Sequence, residues 1–174
     1  MTLAFALLLP LLGAGLGPAL AQEAAPAPGQ AAQGASGLPL PRYVSLRADE
    51  VNMRAGPGVQ YPVNWVYKRR LLPLEVIAEY HAWRKVRDYK GTEGWMHKNM
   101  LSGRRTAVVT GDLRTLREDP DSRARPVIRA EVGVVAELRA CPDGSEWCEV
   151  IVGGRTGWLR RFEIWGVYPE EAVD

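Results

Sequence analysis

Met53-Arg54 … Pro57 … Trp83 … Gly91-Thr92-Glu93-Gly94-Trp95-Met96 returns later in the chain as Leu116-Arg117 … Pro120 … Trp147 … Gly154-Arg155-Thr156-Gly157-Trp158-Leu159. The offset is 63 residues at both ends and 64 at the central Trp. Self-similarity of this size marks two small modules in tandem. Within each unit, short apolar and often β-branched runs alternate with polar positions. In the first unit these are 63–67, 74–78, 83–86 and 94–96; in the second, 127–128, 134–138, 147–152 and 156–159. Turn residues separate the runs, and no window sustains helical spacing over three turns. A single helical turn near 98–101 fits between strands. The pattern predicts a small all-β barrel or sandwich in each unit.

The motif has its own physical logic. Asn52 and Arg54 share one face of a short strand, because strand periodicity is two. Gly56-Pro57-Gly58 forces a tight turn out of that strand. Gly91 and Gly94 bracket the entry to the next strand, and Trp95 then joins the wall. Arg54 reads as a donor to loop carbonyls, with a ligand contact as the alternative. Arg117 occupies the matching place in the second unit, as Gly157 and Trp158 match Gly94 and Trp95.

The run 51–58, Tyr61, 83–86, 91–96 and Leu101 resembles the bacterial SH3-like domain in order and spacing. The second unit keeps Leu116, Arg117, Pro120, Trp147, Val150, Gly154, Gly157 and Trp158 but lacks the Asn and both loop glycines, so it reads as a degenerate copy. The resemblance implies two tandem SH3-like β-barrels, over 42–103 and 106–169. It also implies a Gly in the turn after Lys68-Arg69-Arg70, where this chain has Leu71-Leu72. A positive φ there would strain a leucine.

Residues 2–22 carry no charge and include a leucine-rich run ending near Ala19-Leu20-Ala21, a small-x-small cleavage signature. We read 1–21 as a secretory signal peptide, with an uncleaved membrane anchor as the alternative. Residues 22–41 are mainly Ala, Pro, Gly and Gln and read as a flexible linker. The two cysteines, Cys141 and Cys148, flank a Pro-Asp-Gly turn, so they face each other across a hairpin loop. In an oxidising compartment this predicts a disulfide; the spacing departs from the C-x-x-C of a redox pair. Export to the periplasm or extracellular space is the expectation.

The chain has six Trp against two Phe. Trp83, Trp95, Trp147 and Trp158 recur and read as wall residues. Tyr61, Trp65, Tyr67, Tyr80 and Tyr89 do not recur as aromatics, and a non-repeated aromatic on a repeated scaffold is a better candidate for a ligand surface. Charge is unevenly shared: 42–105 carries +7 and 106–174 carries −4, which with Glu23 gives the net +2. A basic first module attracts anionic partners, or simply the acidic second module. The connector 101–105 is short enough to hold the two barrels as a fixed pair.

These readings give a candidate ligand set of Tyr61, Trp65, Tyr80, Trp83, Lys85 and Arg87. His81 and His97 read as surface or structural residues, since neither stands in a recognisable nucleophile or metal motif. We expect no catalytic residues, metal or cofactor. The resemblance implies a binding module for peptide or peptidoglycan-derived ligands of the cell envelope. The alternatives are a protein–protein adaptor of an envelope complex and, more remotely, an enzyme acting on wall peptides. Nucleic acid is not expected as a partner in that compartment, and a membrane only if the leader stays uncleaved. The oligomeric state is left open.

Overall fold

Alternating burial builds the walls. Along Val51–Arg54, Val51 and Met53 are buried and Asn52 is exposed; along Trp147–Val152, every second residue is buried. The structure is a computed structural model and describes residues 32–174. The expected signal peptide and the first part of the linker lie outside the described residues.

The chain forms strands β1 (Ala32–Gln33) and β2 (Pro39–Leu40), then two barrels. The first comprises β3 (Arg42–Leu46), β4 (Val51–Arg54), β5 (Val63–Tyr67), β6 (Pro73–Tyr80), β7 (Trp83–Arg87), β8 (Glu93–His97) and β9 (Leu101–Ser102). The second comprises β10 (Thr106–Val109), β11 (Arg114–Arg117), β12 (Pro126–Ala130), β13 (Val135–Ala140), β14 (Trp147–Val152), β15 (Arg155–Arg160) and β16 (Ile164–Trp165). The sheets run β5-β4-β8-β7-β6-β3-β9 and β12-β11-β15-β14-β13-β10-β16, so the strand order is the same in both. The duplication extends to register. Arg54 pairs with Trp95 and Arg117 with Trp158, and a bulge falls at Met53/Arg54 in one copy and Leu116/Arg117 in the other. Among the described residues, helix is confined to single 3-10 turns, Lys98–Met100 and Arg161–Glu163. The fold is all-β, two tandem seven-stranded SH3-like modules.

Each barrel has its own core. Leu46, Met53, Leu74, Val76, Val86 and Met96 fill the first; Ala107, Leu116, Val150, Leu159 and the Cys141–Cys148 disulfide fill the second. The Gly-x-x-Gly-Trp motif is explained by close approach. A Cβ on Gly94 would come within 2.5 Å of Met53, and one on Gly157 within 2.9 Å of the Arg117 carbonyl. Glycine therefore lets β8 cross tightly over β4, and β15 over β11.

Two local features depart from a plain tether and turn. Residues 32–40, within the segment read as linker, form the β1–β2 ladder and dock on the first barrel. The Ser36 N–H and hydroxyl donate to Glu79 at 2.7 and 2.8 Å. Leu71 adopts φ 63°, so the turn before β6 does take the left-handed conformation a glycine would accept more readily.

The barrels meet along a seam closed by the C-terminal segment. The Tyr43 ring lies 4.9 Å edge-on from Trp165 and 4.6 Å from Tyr168. Tyr168 donates its hydroxyl to Glu75 at 3.0 Å, and Arg105 ties Gly166 and Glu171 at 2.9 and 3.0 Å. Thr106 donates to the Leu71 carbonyl at 2.8 Å, and Arg69 to the Gly133 carbonyl at 2.7 Å. Burial, then the nearby Glu75 and Glu171 charges, push Tyr43 up to about 12, with Arg105 and Arg87 opposing; burial and the Glu75 hydrogen bond raise Tyr168 as well. Both phenols are held neutral in the seam.

Candidate functional site

The sequence around Arg54 builds an exposed apolar edge. Arg54 donates one Nη to two carbonyls of the following loop, Val59 at 3.1 Å and Tyr61 at 2.8 Å. Gly56 leaves room for the Tyr61 ring, which a Cβ there would approach to 2.5 Å. The loop so fixed feeds β5, which pairs only with β4 in the sheet order. Val59, Tyr61, Val63, Trp65 and Val66 all remain exposed, with Trp65 at 57%. Tyr67 is different: it is buried, and its hydroxyl donates to Asp88 at 2.8 Å. Burial and that hydrogen bond raise its pKa, so it anchors β5 and stays neutral.

The matching edge of the second barrel is built otherwise. Arg117 donates to the Ala124 carbonyl at 2.7 Å, as Arg54 does in its own loop. Its strand β12, however, opens on Pro126 and carries Arg129, which blunt an edge against pairing. Strand β5, Val-Asn-Trp-Val-Tyr, has no charge and no proline.

Tyr80 and Trp83 lie elsewhere, facing each other across the β6–β7 turn. His81 sits at φ 48° in that turn, its ring 4.5 Å edge-on to Tyr80, while the Trp83 ring lies 5.5 Å from His97. Arg84 donates to the His81 carbonyl at 2.9 Å and fixes the turn. A cleft of about 520 Å³ opens here, lined by Ser36, Glu79, Tyr80, His81, Arg84 and Lys98 among others. At its base the Glu79 carboxylate, 1% exposed, meets Arg42 at 2.7 Å and Arg84 at 3.1 Å. Burial alone would raise Glu79, but hydrogen bonds from Ser36 and Arg42 and the Arg84 charge outweigh it and hold the carboxyl down to about 2.

Lys85 and Arg87 point from β7 to Glu93, at 2.8 and 2.9 Å, and Arg87 also reaches Glu75 at 3.4 Å. Hydrogen bonds from Lys85 and then Arg87 lower Glu93, and its partner Arg87 is raised in turn by Glu93. Much of the basic charge on this strand is thus balanced locally. Strands β4 and β8 stand between β5 and β7, so the six sequence candidates fall into two groups: Tyr61 and Trp65 before and on β5, and Tyr80, Trp83, Lys85 and Arg87 on β6 and β7.

A cleft of about 750 Å³ lies on the second barrel beside the disulfide hairpin. Phe162, Ile164, Val167 and Pro169 line it, with Asp143, Glu146 and Glu170 among its polar residues. Sequence reasoning did not single these out. Their positions span 143 to 170, and Phe162, at 66% exposure, has no counterpart in the motif. Tyr43, Trp165 and Tyr168 of the seam were also missed.

The family model described as "Bacterial SH3 domain" matches residues 47–103 and again 111–166. The chain belongs to the bacterial SH3 domain family and carries two copies of the domain. No curated protein matches the chain. Among solved structures it is similar to NlpC2 from Trichomonas vaginalis (TM-score 0.33, 8% identity), covering 72% of this chain and 48% of that one. It is also similar to NlpC1 from the same organism (TM-score 0.31, 9% identity), covering 77% of this chain and 48% of that one. The chain spans about half the length of these structures, and at such TM-scores the likeness carries no functional argument.

Proposed function

We propose that this is an exported, non-enzymatic binding protein whose first barrel takes a peptide-bearing ligand of the bacterial cell envelope, of the peptidoglycan class. The observation that supports it most is the uncharged, exposed run Val63–Val66 of edge strand β5, with Val59 and Tyr61 exposed in the loop before it, beside a second barrel whose equivalent strand carries Pro126 and Arg129. An extended peptide can add to such an edge through main-chain hydrogen bonds, while Tyr61 and Trp65 supply aromatic contact area. Tyr80 and Trp83 at the β6–β7 turn, with Lys85 and Arg87 further along β7, form a second contact region. The disulfide fits an oxidising compartment, and the second barrel serves as a brace across the tyrosine seam.

Sedimentation with purified sacculi tests this reading. Trp65→Ala and Tyr61→Ala should each weaken binding by about 30-fold, the scale of an aromatic hot spot, with the thermal transition unchanged. Equal binding by wild type and both variants rejects the β5 edge as the site. The adaptor reading draws on the same edge, since a strand of a partner protein would fit it equally. It predicts no sedimentation with sacculi from which protein has been stripped.

A further inference from the structure

We propose that Arg47, Arg70 and Arg104 form a binding site for a phosphate group, separate from the β5 edge and independent of that reading. The three arginines come from different segments: Arg47 follows β3, Arg70 stands in the β5–β6 turn, and Arg104 lies in the connector between barrels. They line one cleft of about 270 Å³ together with the Ser102 hydroxyl, Leu46 and Leu71.

Many cations elsewhere in the described residues are neutralised by carboxylates. Arg42 and Arg84 share Glu79, Lys85 and Arg87 share Glu93, Arg105 holds Glu171, and Arg125 holds Glu118. The cleft lining contains no Asp or Glu at all. Arg70 has no hydrogen-bond or ion-pair partner for its side chain among the described residues. Arg104 gives one Nη to Glu137, which lies outside the lining, and Arg47 gives its Nε to the Leu101 carbonyl at 3.1 Å. Most of their guanidinium donors remain available. Among the described residues Arg47 and Arg70 have no carboxylate partner and Arg104 is offset only by Glu137, so the cleft keeps an excess of positive charge that an anion would relieve.

The backbone that presents them is fixed. The Leu71 N–H donates to the Leu46 carbonyl at 2.9 Å, and the Leu71 carbonyl accepts from Thr106 at 2.8 Å. The Arg47 N–H donates to Met100 at 2.8 Å, and the Arg104 N–H to the Ser102 hydroxyl at 3.2 Å. The left-handed Leu71 is the residue that turns the chain directly after Arg70. A carboxylate offers two oxygens in one plane and suits a single guanidinium fork. A tetrahedral phosphate offers oxygens in several directions and suits several forks at once. The cleft is open to solvent, so affinity in the millimolar range follows. The phosphate can be carried by a lipid headgroup or be soluble.

The test titrates the full chain with inorganic phosphate and with glycerol phosphate, against acetate and chloride at equal ionic strength. It follows the arginine Nε–Hε resonances by NMR. Saturable shifts at Arg70 and Arg104 with both phosphates, exceeding those with acetate, are expected. Arg70→Gln should weaken them by about tenfold, the scale of a hydrogen bond to a charged group. Arg70→Lys should fall between, and Arg155→Gln should match wild type. Arg70 is exposed, and circular dichroism should show the Gln variant folded. In a second arm, vesicles of phosphatidylcholine with phosphatidylglycerol are compared with phosphatidylcholine alone. Vesicle binding lost in Arg70→Gln assigns the phosphate to a lipid source; binding of soluble phosphate alone assigns it to a soluble one. Equal shifts with acetate, or phosphate affinity unchanged by Arg70→Gln, overturn the proposal.

Discussion

Replacing Glu79 by Gln removes one charge from the most enclosed ionic cluster of the first barrel while keeping the side chain's shape. The carboxylate is 1% exposed and joins three elements: the β1–β2 hairpin through Ser36, β3 through Arg42, and β7 through Arg84. Its carboxyl is held at about 2 against an ordinary 4.5, a difference worth about 3 kcal/mol of stability. The sign follows from the direction. The folded state binds this proton less readily than the unfolded chain, so the stabilisation is complete above the ordinary value. It disappears as pH falls from there toward about 2. Glu79→Gln should therefore melt about 6–12 °C below wild type at neutral pH if the barrels unfold together. The gap should narrow with acid and nearly vanish near pH 2, where about half of the wild-type carboxyl is already protonated in the folded state and nearly all of it in the unfolded chain. Thermal melts followed by circular dichroism across this range measure it. A melting difference that is absent at neutral pH, or constant down to the acid end, refutes the assignment. Hydrogen exchange should also quicken at the Ser36 amide, which loses an anionic acceptor.

Two further outcomes bear on the turn and the seam. Leu71→Gly should raise stability by about 0.5–1 kcal/mol, because relief of a left-handed leucine exceeds the added chain entropy. Leu72→Ala, one position on and buried, should lose about 2–4 kcal/mol; urea denaturation midpoints that move in the same direction for both would contradict the φ-based account. In a spectrophotometric titration, Tyr43, Tyr67 and Tyr168 should ionise late, with Tyr43 near 12. Neutral phenols stabilise the fold fully below the ordinary tyrosine value, and that contribution falls as pH climbs through the folded values. Complete ionisation of all six tyrosines in one early step, with the fold intact, would rule out a buried seam.

The sequence by itself determined the features that depend on near neighbours. Alternation with a period of two placed Val51 and Met53 inside and Asn52 outside. Pro-Asp-Gly brought Cys141 and Cys148 together because a hairpin turn acts over only a few residues. The repeated Gly-x-x-Gly-Trp fixed two equivalent crossings, since only glycine tolerates the approach of β4 to β8 and β11 to β15. Leu71-Leu72 stand where the family pattern has a Gly after Lys68-Arg69-Arg70, a departure the sequence makes visible, and Leu71 takes the left-handed conformation. The identity of the fold, twice over, was therefore legible from residue order.

Only the tertiary structure decided which side chains meet across long separations. Tyr43 touches Trp165 and Tyr168 because the barrels dock, and no periodicity in the chain encodes that surface. Glu79, which the motif does not single out, is the hub of the hairpin anchor because three separate segments converge on it. Charge runs that look alike along the chain have different outcomes in space: Lys85 and Arg87 meet Glu93, whereas Arg47, Arg70 and Arg104 surround a cleft without a carboxylate. Charge and aromatic character are local properties. Pairing and exposure belong to the docked surfaces, and these exist only once both barrels have folded.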